Sequence, residues 1–128
     1  GYMHDIGNSI NRNDHAHSGA IMAFTLLRQY DIPPEDAATI ISAIGQHDEK
    51  TGTAVDAVSA AVILADKTDV RRNRVRNTVK ESFDKHDRVN YAAVTSELTI
   101  LTDTKTIQLS VELDESIWII LKSFCSGC

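Results

Sequence analysis

Residues that interrupt regular structure are scarce in this chain of 128 residues, which has six glycines and two prolines. Long apolar runs are missing too: no stretch approaches the roughly 20 apolar residues that a membrane-spanning helix needs. No basic and apolar leader opens the sequence. With 42% hydrophobic and 24% charged residues, the composition excludes a disordered or fibrous protein. We therefore expect one globular, cytoplasmic domain with no membrane partner.

Positive charge is also in short supply, because the formal net charge is -5. This balance argues against general nucleic-acid binding, although bound divalent cations would offset it locally. The two cysteines, Cys125 and Cys128, form a C-x-x-C at the C-terminus. That spacing serves redox and zinc sites at a helix start or beside a second ligand pair. Neither context is present, so two incidental thiols are the favoured interpretation.

Both ends of the chain look incomplete. Gly1 and Tyr2 lead directly into polar, chelating residues, with no preceding element to position them. The far end follows an apolar run over 117–121 that a helix or strand would ordinarily bury. We therefore expect the domain to be missing its N-terminal helix, and truncation of the C-terminus is open as well.

Apolar residues spaced three and four apart predict several helices. A first helix is predicted over 18–30, and a second from Pro34, since a proline followed by two acids suits a helix start. A third runs from about residue 56 to beyond 69, and a fourth, of uncertain bounds, lies within 83–94. The predicted buried faces are Ala20, Ile21, Phe24, Leu27 and Tyr30 in the first helix, Ala37, Ile40, Ile41 and Ile44 in the second, and Val58, Ala61, Val62 and Ala65 in the third.

After Ser96 the pattern becomes an alternation of apolar and polar residues, which is typical of strands. Two strands joined around 103–105 are predicted, with the apolar positions Leu98, Ile100, Thr102, Ile107, Leu109, Val111 and Leu113. A two-stranded hairpin is marginal alone, so it must pack on the helices or pair with another chain. The predicted fold is mainly α with an appended β-hairpin, and a homodimer stays open.

Histidine is concentrated near the start, with four of the five histidines within the first 47 residues. His4 and Asp5 are adjacent, His15 precedes a helix, His47 continues the apolar face of Ile44, and Asp66 follows an apolar helix face. Imidazole and carboxylate are preferred ligands of divalent transition metals. For His15 or His47 alone, a hydrogen-bonded histidine at a helix end is an equally good interpretation. Asp66 could instead pair with Lys67 or a nearby arginine, which we consider weaker because the preceding helix is apolar.

Taken in order, His4-Asp5-Ile6-Gly7, His15, His47 and Asp66 resemble the HD superfamily of metal-dependent phosphohydrolases. The resemblance covers roughly residues 1–94. It implies a helical HD-type bundle over 1–94, with the hairpin and C-terminal segment of 95–128 packed on the same domain. It also implies that His4, Asp5, His15, His47 and Asp66 hold one or two divalent ions, from among Mn, Fe, Co, Ni, Zn and Mg.

Two positions depart from the family pattern. HD enzymes take a first histidine ligand from a helix upstream of the HDIG segment, and no residue here matches it. The family commonly has lysine after HDIG, whereas this chain has Asn8, so a phosphate contact there would be a neutral hydrogen bond.

His15 is preferred to His17 because the family histidine stands four residues before a glycine, here Gly19. His17 is then a flank or a substrate neighbour.

The resemblance implies that a metal-activated water hydrolyses a phosphoester bond. We expect the substrate to be a nucleotide. Asp5 or Asp66 would orient that water, and Lys67 would stabilise the leaving oxygen. The expected substrate contacts are Asn8, His17, Lys67, Arg71 and Arg72. The arginines of 71–76 could instead be a solvated face, and we interpret Asp69 and the pair His86-Asp87 as surface residues.

Two other functions remain open. A degenerate HD module could bind a nucleotide or metal as a sensor without turnover. A helical scaffold that dimerises through its hairpin would bind no metal and would not respond to a chelator.

Overall fold

The computed structural model describes residues 1–48 and 50–117 of the chain. Helices dominate, and the only sheet among these residues is a two-stranded antiparallel hairpin, so the predicted mainly α fold with a hairpin is confirmed. The chain divides into two compact units, residues 1–67 and 68–128. A domain boundary after residue 94 stays a prediction. Cys125, Cys128 and the apolar run beyond Ile117 lie outside the described residues.

The first unit holds a short 3-10 helix and three α-helices. The 3-10 helix spans Ile6–Ser9, and α1 and α2 span His15–Leu27 and Pro34–Gly45. The third helix, α3, spans Ala57–Thr68 and ends at the division between the units. The predicted start at Pro34 is confirmed, while α1 begins three residues earlier than predicted.

Two glycines bring the 3-10 helix against α1. A Cβ added to Gly7 would lie 2.0 Å from the carbonyl oxygen of His15 and 2.7 Å from the backbone nitrogen of Gly19. Both atoms are backbone and cannot swing aside, so only glycine permits this approach. A Cβ on Gly19 would in turn lie 3.3 Å from Ile44 Cγ2. The contact therefore places the residues just before Ile6 beside the start of α1 and the end of α2.

The predicted buried face of α1 is largely wrong. Ile21 and Tyr30 are 69% and 68% exposed, and Phe24 is also exposed. The residues buried in α1 are His15, Ala16, Gly19, Ala23 and Leu27. Leu27 is buried as predicted, and the small residues Ala16, Gly19 and Ala23 allow close backbone packing. Because α1 carries apolar residues on several sides, spacing alone selected a largely wrong stripe.

The predicted buried face agrees with the structure in α2 but mostly disagrees in α3. In α2, Ile44 is buried, and Ile40 and Ile41 are half-buried as expected. In α3 the predicted burial of Val62 is confirmed, whereas Val58, Ala61 and Ala65, also expected in the core, are exposed. Ser59, which was not expected in the core, is buried.

A capping arrangement explains the inward turn of Ser59. Its hydroxyl accepts hydrogen bonds from the backbone N–H groups of Val55 and Asp56 at 3.0 and 2.9 Å. The Asp56 carboxylate accepts from the backbone N–H of Ser59 at 2.7 Å. These bonds satisfy amides that a helix start leaves unpaired. Ser59 therefore occupies the face of α3 that apolar spacing assigned to its neighbours.

Over residues 68–114 the second unit forms two short 3-10 helices, one α-helix and the hairpin. The 3-10 helices span Arg72–Arg74 and Lys80–Ser82, and α4 spans Lys85–Ala92. Strands β1, Ala93–Leu101, and β2, Thr106–Leu113, pair antiparallel. Helix α4 leads directly into β1, with a register irregularity between Ala93 and Thr95.

The hairpin differs from the prediction at its ends. Thr102 lies in the turn rather than in a strand, and Lys105 adopts a left-handed backbone conformation with φ of 51°. Ala93 and Val94, expected at a helix end, belong to β1. Among the described residues, no helix is both long and apolar enough to cross a membrane.

Candidate metal centre

Five side chains of the first unit lie close together, although they come from four parts of the sequence. His4 and Asp5 immediately precede the 3-10 helix, and His15 is the first residue of α1. His47 lies two residues beyond α2, and Asp66 is in the last turn of α3. The contact between Gly7 and Gly19 brings His4 and Asp5 close to His15. The chain just after α2 supplies His47.

Short distances link the imidazole Nε2 atoms to one another and to the carboxylates. The Nε2 atoms of His15 and His47 are 3.1 Å apart. Asp5 Oδ1 lies 3.4 Å from His15 Nε2 and 3.6 Å from His47 Nε2. His4 Nε2 lies 3.7 Å from Asp5 Oδ2 and 3.4 Å from Asp66 Oδ1. His4, Asp5 and His47 each offer a ligand atom within 4.8 Å of the others.

The opposite ring nitrogen of each histidine contacts the backbone. The Nδ1 atoms of His4, His15 and His47 lie 2.7, 3.1 and 2.6 Å from the carbonyl oxygens of Gly1, Arg12 and Ile44. A carbonyl oxygen can only accept, so each Nδ1 carries the proton and donates. In a neutral ring Nε2 is then left with its lone pair. In that form each of the three histidines directs an acceptor nitrogen towards Asp5.

With all three rings neutral, this arrangement is unfavourable unless a proton or a metal cation lies between the groups. Three nitrogen lone pairs and two carboxylates face one another, and the Nε2 atom of His4 is buried without a good hydrogen bond among the described residues. Two donors that each bind one ion at about 2.1 Å and at a right angle are about 3 Å apart. The separation between His15 and His47 is close to that value. The residues therefore fit a divalent metal ion.

The acid–base properties of the cluster follow from the same contacts. Contact with His47 is the main cause that lowers the pKa of Asp5 to about 2, while partial burial opposes it. The Asp66 carboxylate raises the pKa of His4 above its ordinary value, again against partial burial. Asp5 is therefore an anion at neutral pH and is available as a ligand.

The cluster is shielded on one side and open on the other. The side chains of His47 and His15 are 2% and 9% exposed, whereas that of Asp5 is 42% exposed. A ligand from solution therefore reaches the cluster on the Asp5 side.

Asp66 also has a second partner. Lys67 Nζ lies 3.0 Å from Asp66 Oδ2, while Asp66 Oδ1 faces His4. The expectation that Asp66 would not pair with Lys67 is therefore wrong. Because the two carboxylate oxygens point to different partners, the ion pair leaves Oδ1 directed at the cluster.

Asn8 and His17 lie in the first unit but outside the set of converging side chains. Asn8 is half-buried in the 3-10 helix, with its Oδ1 atom buried and without a hydrogen-bond partner among the described residues. His17 is exposed, and its Nδ1 contacts the Asp14 carboxylate. It is two positions after His15 on α1, so the two side chains diverge.

The remaining predicted substrate contacts, Arg71 and Arg72, belong to the second unit. Arg71 pairs with Asp69, which also faces Arg74 at 3.7 Å. Arg72 donates from Nε to the carbonyl oxygen of Tyr91 at 2.7 Å, and its guanidinium lies 5.2 Å from the Tyr91 ring centroid. Asp69, interpreted as a surface residue, is half-buried and forms these ion pairs, and His86 is exposed as expected.

Sequence reasoning did not single out Asp48, which contributes to the surroundings of the cluster. Its Oδ2 atom lies 3.9 Å from His15 Nδ1, and its side chain is 20% exposed. Its position directly after His47 is the signal that could have identified it. At this distance it adds negative charge beside His15 rather than a direct hydrogen bond.

The chain was compared with protein-family models, curated proteins and solved structures, and none of the three comparisons gives a match.

Proposed function

We propose that this protein is an HD-type metal-dependent phosphohydrolase whose metal centre is the cluster of His4, Asp5, His15, His47 and Asp66. The observation that carries the proposal is the arrangement of the three histidines. Each is locked by its Nδ1–H so that the Nε2 lone pair points at a shared position beside two carboxylates. A purely structural histidine cluster gains nothing from opposed lone pairs.

Asp5 directs Oδ1 towards His15 and His47, and Oδ2 towards His4. Asp66 Oδ1 also faces His4. If two ions bind, His4 and Asp66 would hold one and His15 and His47 the other, with Asp5 beside both. A pair of ions would stabilise both the attacking and the leaving oxygen of a displacement.

A bound divalent ion supplies Lewis acidity, which lowers the pKa of water towards neutrality and offsets charge on phosphoryl oxygens. The protein's own part is to bind, orient and shield. The buried rings of His15 and His47 close one side of the centre, and Asp5 forms the accessible side at which a phosphoester would arrive. Lys67, held by Asp66, places a positive charge near the cluster that suits the leaving oxygen.

The substrate class proposed for this centre is a small phosphorylated molecule, in particular a nucleotide. Asn8 and His17 are proposed contacts from the first unit, and Asn8 can offer only a neutral hydrogen bond. Contacts from Arg71 and Arg72 stay a prediction from the sequence, which rests on the ability of arginine to bind phosphate oxygens with two N–H groups at once.

Replacing Asp5 with Asn tests the proposal. Because Asn is nearly isosteric but neutral and cannot bridge two cations well, we expect loss of bound metal and of phosphate release from a panel of nucleotides with Mn²⁺. Elemental analysis and a phosphate assay measure the two effects. Asp36→Asn, at an exposed position in the first turn of α2, is the matched control and should change neither. Full activity of the Asp5 variant would refute the assignment.

A second candidate is a sensor module that binds a metal or nucleotide without turnover, and the neutral Asn8 favours it. The same measurements separate the two functions. A sensor retains metal and binds nucleotide, yet releases no phosphate in any condition of the panel.

A further inference from the structure

The chain turns back towards α2 immediately after it supplies His47. The backbone carbonyl oxygen of Asp48 accepts hydrogen bonds from the N–H groups of Thr51 and Gly52 at 3.2 and 2.8 Å. Two bonds to one carbonyl oxygen hold the chain in a tight turn. Gly52 is thereby brought back to the end of α2.

The returning chain contacts Gln46, the residue just before His47. The backbone N–H of Thr53 donates to the side-chain oxygen Oε1 of Gln46 at 3.0 Å. A Cβ added to Gly52 would lie 2.1 Å from the carbonyl oxygen of Gln46 and 2.4 Å from its carbonyl carbon. Both are backbone atoms, so a residue larger than glycine fits here only if the chain is displaced. The requirement for glycine is one of space, because the φ of Gly52 is not positive.

The close contact falls on the peptide group that joins Gln46 to His47. A peptide group is planar and stiff, so displacement of its carbonyl oxygen rotates the whole group and with it the backbone of His47. Helix α2 opposes this rotation only weakly, because the backbone N–H of His47 makes a long hydrogen bond of 3.5 Å to the carbonyl oxygen of Ile44. The direction of the His47 ring therefore depends on the returning chain as well as on α2.

The His47 ring has little room to adjust to such a rotation. Its side chain is 2% exposed, and its Nδ1 donates to the carbonyl oxygen of Ile44 at 2.6 Å. Its Nε2 lies 3.1 Å from His15 Nε2 and 3.6 Å from Asp5 Oδ1. Because one rigid ring carries both nitrogens, a rotation of the backbone would change these distances together.

We propose that Gln46 and Gly52 are positioning residues, which fix the direction of the His47 ring by holding the peptide group that precedes it. Gly52 sets the place of that peptide group, and the hydrogen bond from Thr53 to Gln46 keeps the returning chain against it. The importance of both residues for a metal ion rests on the proposed function, whereas their effect on the ring does not. Replacement of residues that orient a metal ligand commonly weakens metal binding by about 10- to 100-fold.

The His47 ring can be observed directly in the metal-free protein by NMR with ¹⁵N-labelled histidine. In the wild type we expect a downfield, slowly exchanging Nδ1–H signal, because this group donates to a carbonyl oxygen in a buried position. His47→Ala identifies the signal by removing it. In Gly52→Ala the signal should move upfield or disappear through exchange with water. Gly45→Ala adds the same methyl group two residues before His47 without a close contact, and should keep the signal.

Substitution of Gln46 separates positioning of the ring from loss of the fold. Gln46→Met keeps the length of the side chain but removes the accepting oxygen, so it should weaken the His47 signal. Gln46→Glu retains an accepting oxygen and should restore the signal, and circular dichroism should match the wild type in both. An unchanged signal in Gln46→Met, or in a Gly52→Ala protein that remains folded, would overturn the proposal. Equal losses in Gln46→Met and Gln46→Glu would do the same.

Titration with Mn²⁺ distinguishes this proposal from the proposed function. If the wild type binds Mn²⁺, we expect about 10- to 100-fold weaker binding by Gly52→Ala and Gln46→Met, and wild-type affinity in both variants would overturn the proposal. If the wild type binds no Mn²⁺, the metal centre itself is refuted, while the His47 signal still decides whether Gln46 and Gly52 position the ring.

Discussion

The histidine cluster and the hairpin depart in different ways from the usual pattern of buried apolar and exposed polar side chains. In the cluster, polar rings are buried, with His15 and His47 at 7% and 2% exposure. In the hairpin, large aliphatic side chains are exposed, with Ile100 at 66%. Buried polar groups and exposed aliphatic groups both cost free energy. The comparison shows that burial in this chain does not follow residue polarity in either region.

The largest expected loss of stability comes from replacing Gly7, whose close contact with α1 brings the cluster residues together. Gly7→Ala places a methyl group 2.0 Å from the His15 carbonyl oxygen, and overpacking against backbone of this kind costs about 3 kcal/mol. We expect a lower unfolding midpoint in urea, followed by circular dichroism, and loss of metal binding.

Gly45→Ala is the control for this change. A Cβ added to Gly45, the last residue of α2, would lie 3.6 Å from the Ala20 Cβ, which is an ordinary van der Waals contact. This variant should be as stable as the wild type or slightly more stable, because alanine favours helix. Equal stability of the two variants would show that the cluster does not depend on the close approach of Gly7.

Metal-dependent stability tests the idea that a cation completes the buried cluster. An ion that binds only the folded state at 100 times its dissociation constant stabilises it by about 2.7 kcal/mol. We expect Mn²⁺ to raise the melting temperature of the wild type and a chelator to reverse the change. His47→Ala should abolish the response, while His86→Ala, at an exposed histidine of the second unit, should preserve it. A metal response unchanged by His47→Ala would place the ion elsewhere.

The smallest effect concerns acid stability at the start of α3. Hydrogen bonds from the backbone and side chain of Ser59 lower the pKa of Asp56 below its ordinary value of 3.8. The ionised carboxylate therefore stabilises the fold above pH 3.8, and this contribution is lost as the pH falls through the lower folded-state pKa. Asp56→Asn should flatten the pH dependence of the unfolding free energy in that acidic range.

The same measurement on Asp31→Asn provides the reference, because Asp31 lies between α1 and α2 and is exposed. Urea unfolding of the three proteins between pH 2 and pH 5 compares the slopes. If Asp56→Asn and the wild type lose stability in parallel, the cap contributes nothing that depends on its charge.

The positions of helices and strands could be predicted from the sequence more reliably than the faces they bury. Pro34 marked the start of α2, and the alternation of Leu98 and Ile100 marked β1, because these signals are local. The buried face of α1 depends on Gly7 and Gly19, whose close contact joins separate segments. Spacing along one helix carries no information about which side a distant backbone approaches.

The candidate ligands could be selected from the sequence, but their geometry could not. His4, His15 and His47 were chosen for their residue type and their order along the chain. The direction of each ring and the division of Asp5 between two groups are tertiary properties. The pairing of Lys67 with Asp66 was misjudged for a related reason, since a carboxylate with two oxygens can serve two partners at once.

The three carbonyl groups that orient the histidines share one more property. Each lies three residues before the histidine that it binds, at Gly1, Arg12 and Ile44. Because these acceptors are main-chain atoms, no substitution of a neighbouring side chain can remove them. The supports of the three rings can therefore persist while the sequence around them drifts, and only changes that alter the local backbone path would disturb them.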